Sequence, residues 1–143
     1  MNFWSTISGY QSEINNRVAE IDRKIERLEQ AKRKIEQEQK VVLEEIEQLK
    51  KPDIDQNWTG KFANDYENKR DDVYLGMRSL AYDSYDLYQS TIELKINSFN
   101  LQRSGLVGLR SLVSETNQLL NFGEEVYDEV SNKINYIRRE LFG

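Results

Sequence analysis

The chain has no cysteine and no histidine among its 143 residues. Without thiols it can form neither a disulfide nor a thiolate metal site. Without imidazole it lacks Ser-His-Asp and Cys-His nucleophile systems, ordinary zinc chemistry and the usual general base near neutral pH. Proline occurs once and glycine seven times, so little interrupts helical structure. No uninterrupted apolar run approaches the roughly 18–20 residues of a membrane span. The start, Met1-Asn2-Phe3-Trp4, lacks a basic stretch followed by an apolar core, so no cleavable signal is expected. Lys and Arg are interleaved with acids and the net charge is −5, which leaves no basic stripe for nucleic acid.

What remains is charged and helix-forming. Charged residues make up 31% of the chain, against 38% hydrophobic residues, with a mean hydropathy of −0.78. That is lean for a round globule and suits thin helical packing in one domain. Steps of three and four residues from Trp4 pass through Ile7, Gln11, Ile14, Val18, Ile21, Ile25, Leu28, Lys32, Ile35, Gln39, Val42, Ile46 and Leu49. This heptad seam predicts a helix over about 3–50, roughly 65–70 Å long, with an apolar stripe ready for another helix. Gln11, Lys32 and Gln39 are its polar members. They read either as devices that select a partner or as solvent-facing positions on a curved helix.

Lys51-Pro52 should stop this helix, because proline lacks an N–H and disfavours helical geometry in the residue before it. The stretch 51–60 reads as a turn, with Asp53, Asp55 and Asn57 leading to Trp58-Thr59-Gly60. A second helix is expected over about 61–103. Its seam runs through Phe62, Tyr66, Val73, Met77, Leu80, Ser84, Leu87, Thr91, Leu94, Ser98 and Leu101, and the small residues there would let a neighbour approach closely. Ser104-Gly105 and Gly108 suggest a break before a third helix over about 106–141. That helix is either broken near 121–123, where Asn121 and Glu124 resemble a capping pair, or continuous with a tolerated glycine. The expected fold is all-α: an elongated antiparallel helical hairpin with a third C-terminal helix.

The paired carboxylates Glu44-Glu45, Asp71-Asp72 and Glu124-Glu125 diverge by about 100° on a helix and read as solvated surface. No enzyme, metal or cofactor is called for. Trp58-x-Gly60 carries more information, because glycine can turn the chain where other residues cannot and the indole can cover a hairpin end.

With this turn between two long helices, the chain resembles the WXG superfamily of type VII secretion, and most closely the YwqH-like small helical proteins that accompany LXG toxins. Members often carry a Tyr-x-x-x-Asp/Glu export signal that pairs with the Trp-x-Gly turn. Tyr136 with Glu140 matches at the C-terminus, and Tyr82 with Asp86 matches within the second helix. The resemblance implies a non-enzymatic partner or targeting factor. It would bind the helical N-terminal region of an LXG toxin, with a second small helical protein as a further partner. It would be cytoplasmic before export and open to secretion without a cleavable signal. The binding seam would be Ile14, Val18, Ile21, Ile25, Leu28, Ile35, Val42 and Ile46. The alternative is a homodimeric or higher homo-oligomeric structural coiled coil with no export role.

Overall fold

The computed structural model describes residues 2–50 and 60–143, and every described element is helical. Helix α1 spans Phe3–Glu47 and ends in a 3-10 turn, Gln48–Lys50. Helix α2 spans Lys61–Leu119, and α3 spans Tyr127–Phe142. Two 3-10 turns, Leu120–Phe122 and Glu124–Val126, join α2 to α3 around Gly123. At the start of α1 the Asn2 carboxamide accepts from the Ser5 amide at 3.2 Å, a side-chain cap for an otherwise unpaired N–H. The expected turn at 51–60 lies outside the described residues, Trp58 included, apart from Gly60. Gly60 has φ +109°, in the region open to glycine, and its carbonyl accepts from the Asn64 amide at the head of α2.

The break expected at Ser104–Gly108 does not occur, and α2 passes through it without interruption. A helical glycine costs about 1 kcal/mol relative to alanine. Here Leu106, Leu109 and Leu112 pack against a buried core on the same stretch and outweigh that cost. The chain turns at Gly123 instead, whose φ of +89° and ψ of −160° suit glycine alone. Asn121 supplies no cap: the turn from Glu124 has Gly123 as its N-cap and no side-chain hydrogen bond.

The described chain forms two compact units. The first comprises residues 1–27 and 96–143, and the second residues 28–95, so α1 and α2 contribute to both. In the first unit, Ile7, Ile14 and Val18 of α1, Val113 and Leu120, and Val130, Ile134, Ile137 and Leu141 of α3 form one buried cluster. Burying each such side chain contributes about 1.5–3 kcal/mol. The apolar positions of α3 recur at spacings of three and four, which places all four on one face. Thr116 is buried among them and donates its hydroxyl to the Leu112 carbonyl at 2.7 Å, so its polar atom is satisfied within α2.

The rings of Phe3 and Tyr127 meet edge-on at 5.5 Å, and those of Tyr10 and Phe142 lie 6.1 Å apart, so α3 runs parallel to the start of α1. Arg17 closes its far end. It donates from Nη1 to the Leu141 carbonyl at 2.8 Å, pairs with Glu13 at 2.8 Å and lies over the Phe142 ring. A cation on the last carbonyls of a helix satisfies an orphan acceptor and opposes the negative end of its dipole.

The second unit is thinner. Its buried cluster is Ile46, Tyr74 and Ala81, with Val42, Leu43 and Leu49 partly covered around it. Its stretches of α1 and α2 are joined by polar contacts: Lys32 to Glu93 at 3.0 Å, Gln39 to Asp86 and Gln89, each at 3.2 Å, and the Tyr74 hydroxyl donating to Glu47. Partner numbers fall as those on α1 rise, so the stretches are antiparallel. In the first unit the pair Asp22 and Arg103, at 2.7 Å, follows the same sense with Lys24 over the Phe99 ring.

Two substitutions test this account in urea unfolding. Ile137→Ala should lower stability by about 2–5 kcal/mol, the cost of a cavity in a filled core. Gly105→Ala should raise it by about 0.5–1 kcal/mol, since the added methyl group would meet nothing within 4 Å.

Candidate helix-docking surface

The α1 seam is an internal seam through much of its length. Ile14, Val18, Ile21 and Ile46 are buried, and Ile25, Leu28, Ile35 and Val42 are half-buried. In the first unit α2 and α3 cover Ile14 and Val18, so these two residues offer a partner no free surface. Trp4, in register by spacing, is about half exposed, and Gln11 is exposed. Lys32 and Gln39 face α2 rather than solvent and hold it through the contacts above. The hydrogen bond to Glu93 raises the Lys32 ammonium above the ordinary lysine range, against desolvation and with help from the charges of Glu93, Glu36 and Glu29.

The expected seam of α2 faces outward. The residues of α2 buried in the second unit are Ala63, Tyr74 and Ala81, with Tyr85, Gln89 and Ile92 half-buried. The line through Tyr66, Val73, Leu80, Leu87 and Leu94, one residue every seven, remains exposed. The reason is polar matching. Lys32 and Gln39 stand partly exposed in the α1 seam and pair across it with α2, contacts that specify register more than they stabilise. Asp86, Gln89 and Glu93 supply the partners, whereas a leucine line would not.

This outer line has the properties of a docking surface. Exposure rises along it, from 53% at Val73 to 67% at Leu80 and 70% at Leu94. Single exposed leucines are ordinary, but a repeated heptad line of them is not. A strict seven-residue repeat on a helix of 3.6 residues per turn traces a left-handed stripe, the path followed by a coiled-coil neighbour. Gly76, Ser84, Ser90 and Thr91 lie beside the line and present little bulk or charge. Met77 and Tyr88, also exposed, extend the apolar area.

Tyr136 and Glu140 lie on one exposed face of α3. Both line a cleft of about 960 Å³ in the first unit, together with Arg17, Ile21 and Lys24 of α1 and Phe99, Gly105 and Gly108 of α2. The glycines expected to break the helix form part of this cleft's wall. Asp86 of the other tyrosine motif is engaged by Gln39. The paired carboxylates at 44–45, 71–72 and 124–125 are exposed. Among the described residues no group of three or more Asp and Glu side chains converges as a metal site would require, and no helix is long and apolar enough to cross a membrane.

These features define an all-helical protein with one closed three-helix unit and one unit that exposes a heptad stripe. The YwqH-like family model matches residues 5–124, and the chain belongs to that family. It is 27% identical over 138 residues to Protein YwqH of Bacillus subtilis (strain 168), covering 96% of this chain and 99% of that protein. No solved structure matches.

The outward reading of the stripe has a direct check. Leu87→Glu with Leu94→Glu should leave the helical circular dichroism spectrum unchanged and shift stability by no more than about 0.5 kcal/mol, as for other exposed positions. Ile35→Glu, on the internal seam, should cost more than about 2 kcal/mol.

Proposed function

We propose that this protein is a non-enzymatic partner and targeting factor. It binds the helical N-terminal region of an LXG-type toxin and assists its export by a type VII secretion system. The observation that carries the reading is the exposed heptad line Tyr66, Val73, Leu80, Leu87 and Leu94 on α2, which is shaped for a partner helix. Membership of the YwqH-like family supports the choice of partner through the resemblance to proteins that accompany such toxins. In this reading the chain is a member of the WXG superfamily, α1 and α2 form its hairpin, and Trp58-Thr59-Gly60 forms the turn. Tyr136 and Glu140 serve as the export signal. The protein acts in the cytoplasm before export and passes through the secretion system. It needs no cofactor.

Binding would lay helix against helix without turnover, with the leucines as anchors and the flanking charges selecting register. A homo-oligomeric structural coiled coil is the second reading, since the same line could pair with its own copy.

Co-expression with the helical N-terminal region of an LXG toxin from the same genome, followed by light scattering, separates the two. A stable hetero-complex is expected, and Leu87→Glu with Leu94→Glu should weaken it by about 100-fold, the loss of two anchors at about 1.4 kcal/mol each. A closed homo-oligomer that ignores the toxin region contradicts the reading. For export, Trp58→Ala or Tyr136→Ala should reduce toxin secretion, and unchanged secretion with both removes them from the signal.

A further inference from the structure

In the first unit a third helix lies along a defined line of α1. Phe3, Tyr10 and Arg17, spaced by seven, meet Tyr127, Phe142 and the Leu141 carbonyl of α3. Continued in the same steps along α1, the line reads Lys24, Ala31, Glu38 and Glu45. Heptad spacing keeps these positions on one side of a helix that is paired with a neighbour. Among the described residues of the second unit, Glu38 and Glu45 on this side are exposed and Ala31 is half-buried. Glu38 and Glu45 border a cleft of about 410 Å³ whose apolar lining is Val41, Val42 and Tyr85. Val41 is half exposed, and among the described residues of this unit only α1 and α2 pack together.

We infer that this groove is the seat of a third helix supplied by another protein, which completes the second unit as α3 completes the first. The inference rests on the proposed reading of a helical partner and locates part of that partner. Continuity with the α3 contact line indicates a helix, and charge indicates its chemistry. The charged residues lining the cleft are Glu38, Glu45 and Lys34, and residues 34–47 carry five glutamates against two lysines, so the segment remains acidic. The occupant is therefore an amphipathic helix with apolar residues toward Val41, Val42 and Tyr85 and with Lys or Arg flanking them opposite Glu38 and Glu45. A second copy of this chain suits the groove less well, because its net charge is −5 and it would bring acid to acid.

The test uses the full chain and, as probe, the purified helical N-terminal region of the LXG toxin from the same genome. Glu38→Lys with Glu45→Lys should weaken binding by about 10-fold at low salt and leave the melting midpoint of the free protein unchanged. A photo-crosslinking benzoylphenylalanine in place of Val41 should capture the toxin helix. If the wild type binds and the charge reversal leaves affinity unchanged, or Val41 gives no cross-link, the groove assignment fails while the toxin reading stands. Cross-linking to a second copy of this chain overturns the occupant. Absence of binding by the wild type overturns the toxin reading and this occupant together.

Discussion

The packing of α3 into the first half of the α1 seam is the contact on which the rest of the structure depends. Ile7, Ile14 and Val18 form a stripe that two helices alone would leave partly wet, and the Val130, Ile134, Ile137 and Leu141 face of α3 closes it. That closure requires the chain to turn back at Gly123, where glycine admits a conformation other residues avoid. Arg17 then holds the end of α3 through the Leu141 carbonyl. The product is a three-helix core made from one chain, with no surface of the seam left over for a neighbour at Ile14 or Val18.

The second unit is built on a different principle. Its α1 and α2 stretches are aligned by Lys32, Gln39 and Glu47 reaching across to Glu93, Asp86, Gln89 and Tyr74, while few large apolar side chains are buried. Exposed polar contacts of this kind add little stability but specify register. They also decide which face of α2 turns inward. The leucine line turns outward as a result, and the same alignment that limits the stability of this unit creates the surface on which its proposed function rests.

Much of this was legible in the sequence. The α1 register, the all-helical class and the apolar face of α3 follow from spacing alone, because a buried helix face must repeat at three and four residues. Two features differ from the spacing-based expectation, each because of contacts made with other helices. α2 carries two lines at helical spacing, and apolarity favours the heptad line at Leu80, Leu87 and Leu94. The inward line, with Ala63, Tyr74 and Ala81, is aligned by the polar partners of Lys32 and Gln39, a cross-helix constraint invisible to a single-helix pattern. Gly105 and Gly108 looked like a stop, but Leu106, Leu109 and Leu112 on the same stretch pack against the buried core and carry the helix through them. The candidate motif residues Tyr136 and Glu140 could be found by letter. Their position beside the glycine-walled cleft could not, since it depends on how three helices meet.

The central claim is that one unit is complete in itself and the other awaits a helix. Amide hydrogen exchange on the protein, free and mixed with the helical N-terminal region of an LXG toxin, tests this most directly. The account predicts slow exchange at Ile14, Val18 and Ile137 in the free protein, faster exchange from Ile35 to Val42 and from Leu80 to Leu94, and strong added protection confined to the latter segments on mixing. Uniform protection along α1 in the free protein, with no change on mixing, would contradict it.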